Sequence, residues 1–414
     1  MDRATARRGE KQREKEMRLG AERCNWSMTS RMARLRMAPE RVHEFLNELF
    51  SQDMHAARVL SLSNAVSGAI QSAALSVHAI GQGLALANQL EAKSAIKQVD
   101  RLLSNMKLSV WELFPLWVAY LLSDRTEAVV ALDWTEFDKD GHSTIALNLL
   151  TRHGRATPLM WKTVEKAAMA RQRNDFEDEV LAYFREIVPA HVKVTILADR
   201  GFGDQALYKA LMGANMHFVI RFRSRILVTD SAGDTFAAEA LVPGNGRAKK
   251  YTNVRVTDDK TPVPAVVCVR AKNMKESWCL ATSRDDLSAS EIVALYGRRF
   301  TIEENFRDTK DPRFGLGLSA TRVGRVDRRD RLLLIGALAQ ALLTLLGAAS
   351  EETGLDRTLK ANTVKRRTMS LFNQGWFWYR AIPGLREERL QMLMEAFGRI
   401  VSQHAVCREI FGVI

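Results

Sequence analysis

The stretch Val192-Lys193-Val194-Thr195-Ile196-Leu197-Ala198-Asp199-Arg200-Gly201-Phe202-Gly203 decides the fold. Residues 192–198 are too continuously apolar and β-branched for a strand with one wet face, so they read as a central strand covered on both sides. The run ends in an aspartate and a turn, and ligand sites in α/β sheets lie beyond the carboxyl ends of such strands.

Working outward, residues 128–134, 143–150 and 157–162 carry strand patterns. Short polar links, Asp138-Lys139-Asp140-Gly141 and His153-Gly154-Arg155, join them into an antiparallel meander. Residues 165–187 have a helical period, as do 205–212, and 216–222 read as a fifth strand. Three strands, helix, strand, helix, strand is the order of an RNase H-like α/β core, a mixed five-stranded sheet with helices. Residues 226–282 show β-pattern and turns but no helical period, which predicts an all-β insertion. A helical pattern returns at 288 and runs unbroken to Lys310, where Pro312 stops it.

The flanks are all-α. Within 41–115, an apolar helix over 77–86 is followed by Asn88-Gln89 and a second helix over 91–105, the order of a helix-turn-helix. Lys93, Lys97 and Arg101 recur every four residues on that helix, apart from Ile96, Val99 and Leu103; a DNA-facing side or an ordinary solvated face would give this pattern. The resulting division is 1–40 basic tail, 41–115 helical DNA-binding domain, 116–225 first part of the core, 226–285 β-rich insertion, 286–350 second part of the core and 351–414 helical C-terminal region, a candidate for dimerisation.

The chain has 414 residues, 46% of them hydrophobic, with 61 Lys and Arg against 48 Asp and Glu, a net charge of +13. That balance favours a polyanionic partner, nucleic acid first, over a small neutral substrate. Cys24, Cys268, Cys279 and Cys407 have no Cys-x-x-Cys spacing, so they suggest neither a disulfide framework nor a zinc site and fit a cytoplasmic setting. Residues 332–349 carry no charge, yet Gln340 and Thr344 interrupt them and Arg328, Arg329 and Arg331 crowd their start, so a buried core helix is expected rather than a membrane span.

Three carboxylates draw the chemistry together. Asp133 ends the buried run Val129-Val130-Ala131-Leu132, and Asp199 ends the central strand; neighbouring strands would set the two acids side by side, where they repel unless a proton or divalent ion lies between them. Taken singly, each also reads as an N-cap or turn residue. On the helix to Lys310, about 100° per residue places Tyr296, Arg299, Glu303 and Lys310 within an arc of roughly 60°. Such a stripe can bring an acid to a metal and cations to phosphate, although a salt-bridged solvated helix shares the pattern.

The spacing Tyr296-x2-Arg299-x3-Glu303-x6-Lys310 resembles the Tyr-Arg-Glu-Lys signature of DDE transposases of insertion-sequence family four. Phe314-Gly315-Leu316-Gly317-Leu318, Ala361-Asn362-Thr363-Val364 and Ile96-Lys97-Gln98-Val99-Asp100-Arg101-Leu102-Leu103 are similar to the subgroup of the Tn-ten and Tn-five transposases. The resemblance implies that Asp133, Asp199 and Glu303 are catalytic and bind two Mg2+ ions, with Mn2+ able to substitute. It implies that Tyr296, Arg299 and Lys310 contact transposon-end phosphates, and that Trp278 stacks on a flipped base; a buried strand tryptophan would fit Trp278 as well. The implied activity is cut-and-paste transposition through nicking, hairpin formation, hairpin opening and strand transfer. The implied partners are double-stranded DNA at transposon ends and target, a homodimer and no membrane, and the implied location is bacterial cytoplasm at the nucleoid. The alternatives are another RNase H-like nuclease, or a catalytically silent DNA-binding protein derived from a transposase. Gly315-Leu316-Gly317-Leu318 reads as a turn before it reads as a phosphate loop.

Overall fold

The computed structural model describes residues 39–122, 125–151 and 153–402. Cys24, Cys407 and nearly all of the basic tail lie outside them. In chain order the helices are α1 (Pro39–Phe50), α2 (Ala56–Ser72), α3 (Val77–Asn88), α4 (Ala92–Ser104), α5 (Phe114–Leu122), α6 (Lys166–Ile187), α7 (Gln205–Gly213), α8 (Ala289–Gly297), α9 (Thr301–Lys310), α10 (Val326–Glu352), α11 (Leu371–Ala381) and α12 (Glu387–Ser402).

The strands are β1 (Glu127–Phe137), β2 (His142–Leu150), β3 (Ala156–Glu165), β4 (Lys193–Ala198), β5 (His217–Phe222), β6 (Leu227–Thr229), β7 (Thr235–Ala237), β8 (Lys249–Val256), β9 (Thr261–Val269) and β10 (Trp278–Thr282). They form one sheet in the order β3-β2-β1-β4-β5-β10-β9-β8-β6-β7. This corrects the expected five strands: among the described residues the sheet has ten, and the β-rich segment is not a sheet of its own. Its strand β10 pairs antiparallel with β5 and carries the sheet onward. An edge strand has unpaired N–H and C=O groups whichever residues it bears, so β5 could accept β10 without a local signal.

The centre of the sheet is parallel, β1 with β4 and β4 with β5, and the meander β1-β2-β3 is antiparallel. All nine residues of β2 are buried, including His142, Ser143, Thr144 and Asn148. Successive side chains go to opposite faces. Val130, Leu132, Ile196 and Phe218 belong to the larger core, which also takes in α6, α7, α10 and the flanking helices. Val129, Ala131, Leu197, Val219 and Leu280 face the other way, and Ile292, Tyr296 and Ile302 of α8 and α9 cover them.

α10 is the axle of the molecule. It is long and apolar enough to cross a membrane by composition, yet 89% of its most apolar window is buried among the other elements. α11 lies so close that a Cβ on Gly375 would sit 1.8 Å from the carbonyl oxygen of Leu343. Arg329, near the start of α10, is wholly buried; it donates to His142 Nδ1 at 3.0 Å and pairs with Asp140, pinning the β1-β2 turn to the helix.

One expected element is broken. Residues 288–310 are not a continuous helix: α8 opens with a capping box of Ser288 and Glu291, a 3-10 turn over Arg298–Phe300 interrupts it, and α9 follows. Gly297 sits at the joint, where its missing side chain weakens helical propagation. The even arc calculated for Tyr296, Arg299, Glu303 and Lys310 therefore does not persist, because a 3-10 turn advances about 120° per residue rather than about 100°.

Candidate active site

Register places the first two carboxylates. Leu132 pairs with Ala198 at the last step of the parallel β1-β4 ladder, so Asp133 and Asp199 are the next residues on the two strands and project to the same face. Asp133 does not end its strand as expected; β1 continues to Phe137 because β2 still pairs with it, Asp133 lying opposite Ala146. It is β4 that stops. Asp199 turns the chain there, accepting the Gly201 N–H at 2.7 Å as N-cap of the 3-10 turn Arg200–Phe202. Thus the N-cap role and a place in the acidic pair belong to the same residue.

The third carboxylate arrives through an arginine. Arg299 donates to Asp133 Oδ2 at 2.9 Å and to Glu303 Oε1 at 3.1 Å, so one guanidinium bridges the strand acid and the helix acid. Arg299 is 5% exposed. Burial works against its charge, but Asp133, Tyr296, Asp199 and Glu303 together raise its pKa. Asp133 is pushed up to about 6, first by burial and then by the negative charges of Asp199 and Glu303, against the pull of Arg299 and the Trp134 N–H. Asp133, Asp199 and Glu303 thus form one electrostatic unit.

The other residues of the stripe turn inward. Tyr296 is buried in the small core under the sheet, and burial raises its phenol pKa. Lys310 reaches β1, donating to Thr135 Oγ1 at 3.0 Å and to the Glu136 carbonyl at 2.6 Å, and burial lowers its pKa. Its ammonium lies 4.8 Å from the Phe137 ring, which the Arg329 guanidinium also approaches, at 3.9 Å. Trp278, half-buried at the start of β10, meets Tyr296 edge-on at 5.0 Å and Phe300 at 6.1 Å. Lys93, Lys97 and Arg101 are exposed on α4, opposite buried Ala95, Val99, Leu102 and Leu103; α4 itself is tied to α10 by an ion pair of Asp100 with Arg328 at 2.7 Å.

Gly315-Leu316-Gly317-Leu318 is a turn. A Cβ on Gly315 would lie 2.3 Å from the Asp308 carbonyl oxygen, and Gly317 has φ +67°. That accounts for both glycines without a phosphate.

A cation-lined cavity of about 510 Å³ opens beside the acids, between Arg200, Arg221, Arg223, Arg225, Arg270 and Lys275, with Glu239 and Glu276. Arg200 and Arg221 share Glu276, at 3.0 and 2.7 Å. Arg200 directly follows Asp199, so one wall of the cavity starts at the residue after that acid. The alternation Arg221-Phe222-Arg223-Ser224-Arg225 was its signal in the sequence. It did not stand out because Arg270 and Lys275 are nearly fifty residues away.

A mixed α/β sheet that sets two acids just past the end of its parallel β1-β4 ladder, with an arginine-walled cavity starting at Arg200, is a site suited to a phosphorylated polymer. The family model described as Transposase DDE domain matches residues 125–342, more than half of the chain, and the chain belongs to that family. No curated protein matches it. DDE transposases use divalent metal ions and act on DNA.

Proposed function

We propose that this chain is an insertion-sequence transposase that excises and inserts its element by divalent-metal-dependent cleavage and strand transfer, with Asp133, Asp199 and Glu303 as ligands. The observation that carries the reading is the register: the acids occupy the step after the Leu132-Ala198 pair, and Arg299 connects them to Glu303. The donor set suits a hard cation, being carboxylate oxygen throughout. Among the described residues no group of three or more His, Cys, Asp or Glu side chains converges tightly enough to hold a metal. Arg299 takes the middle position and leaves Asp133 Oδ1, Glu303 Oε2 and the Asp199 carboxylate outside its hydrogen bonds.

Two Mg2+ ions, or Mn2+ in their place, would activate the attacking oxygen and stabilise the leaving one. Around them the chain's own groups position DNA. Arg299 and the cavity cations hold backbone phosphates, Lys310 steadies β1 beside Asp133, and Tyr296 backs Trp278, which with exposed Phe300 offers an aromatic surface for an unstacked base. The finer reading follows the resemblance to insertion-sequence family four: an RNase H-like core with the β-rich segment as its extension, nicking followed by hairpin formation and opening, end binding by residues 41–115 and a homodimer in bacterial cytoplasm.

Asp133→Asn and Glu303→Gln are expected to abolish cleavage of a duplex carrying the element's end while leaving its binding within about threefold. Cleavage that survives either change at more than a few per cent would remove the ligand assignment.

A further inference from the structure

A second cation, Arg173, comes close to Asp199. Arg173 lies on α6, just after Gln172, whose φ of −126° and ψ of 18° kink the helix. Its Nε donates to Glu177 Oε1 at 2.8 Å, and the same oxygen accepts the Trp134 indole N–H at 2.8 Å. The guanidinium stands over the Trp134 ring at 5.9 Å and the Phe202 ring at 5.4 Å. Trp134 follows Asp133, and Phe202 closes the turn that Asp199 caps.

The guanidinium end of this arginine lies beside Gly201. A Cβ there would lie 3.0 Å from Asp199 Oδ1 and 3.2 Å from Arg173 Nη2, so both atoms flank one point above the turn. Glu177 is buried and holds Nε, but the two terminal nitrogens make no hydrogen bond among the described residues, and the side chain is 41% exposed. A guanidinium that is clamped by one edge and open at the other is prepared for an oxygen anion. Arg200, in the same turn, lines the cationic cavity.

We propose that Arg173 binds a backbone phosphate of the DNA where the strand crosses the rim beside Asp199, with Glu177 and the two aromatic rings fixing its direction. The proposal rests on the transposase reading, and it adds to the cavity cations a phosphate contact at the Asp199 turn. Arg173 then acts on substrate directly, and Glu177 is a positioning residue.

The test is affinity of the full chain for a duplex carrying the element's end, measured across a sodium chloride series without divalent ions. Losing one phosphate contact lowers the slope of log affinity against log salt by about 0.9. Arg173→Gln is expected to lower it by about that much and to weaken low-salt binding several-fold, whereas Arg173→Lys keeps the slope. An unchanged slope in Arg173→Gln, or a lysine variant as impaired as glutamine, overturns the proposal and leaves Arg173 a strut between Trp134 and Phe202. Should Arg173→Gln fail to fold, modification of the wild-type chain by phenylglyoxal decides it: protection of Arg173 by the duplex supports the contact, and equal modification with and without DNA overturns it. A wild-type chain that binds no such duplex overturns the transposase reading itself, an outcome distinct from binding that ignores Arg173.

Discussion

Asp308 shows how one buried carboxyl sets a pH dependence away from the acids of the candidate site. It is 3% exposed, accepts from Arg155 Nε at 2.8 Å, and is still pushed up to about 6 because burial outweighs the arginine. The folded chain therefore keeps a proton that the unfolded chain, with an ordinary carboxyl near 3.8, has released. Stability from this group is fully present below about 4 and falls as pH rises to about 6, then stays level. Asp308→Asn is expected to flatten that part of the curve of melting temperature against pH. A variant whose curve keeps the wild-type fall between those values would place the effect on other groups. The same desolvation acts on Asp133, but there two further acids and Arg299 share the charge.

Among the elements, the pairing of α10 with α11 has the least tolerance. Gly347 and Gly375 put backbone against backbone: a Cβ on Gly347 would lie 2.0 Å from the Leu371 carbonyl oxygen, and one on Gly375 1.8 Å from that of Leu343. Neither contact ends on a flexible side chain, so the helices must separate to admit a methyl group. Gly375→Ala is expected to lower stability by about 3 kcal/mol despite the higher helix propensity of alanine. Chemical denaturation checks this, and a loss within experimental error would show that α11 can shift freely. The interruption at Arg298–Phe300 matters at the same scale. It divides what would be a straight helix, so that Tyr296 enters the small core while Glu303 stays exposed at the rim.

For the whole molecule, the proposed function sets two basic surfaces of the described residues against DNA: the exposed side of α4 and the cationic rim around Asp199. Reversing Lys97 and Arg101 to Glu is expected to weaken binding of an end duplex at least tenfold and flatten its salt dependence by about two contacts. Melting temperature should hardly move, since both side chains are exposed. Affinity unchanged by the double reversal would make that helix face an ordinary solvated one. At this scale the origins of the structure also separate. The strand and helix pattern of the meander, the central strand ending in Asp199 and the buried nature of α10 follow from local sequence, because alternation, continuous apolar runs and helical period are properties of neighbouring residues. Asp133, Asp199 and Glu303 could be singled out for the same reason, each standing where an apolar or periodic run meets a charge. Tertiary structure alone decided that β10 joins β5 and makes one sheet of ten strands, since strand pairing depends on an open edge far along the chain. It alone set Arg299 between Asp133 and Glu303, gathered Arg270 and Lys275 with Arg221, and brought Arg173 to Gly201. Charges leave no periodic trace of the distant partner they will meet, so their convergence is fixed only when the sheet edge is built.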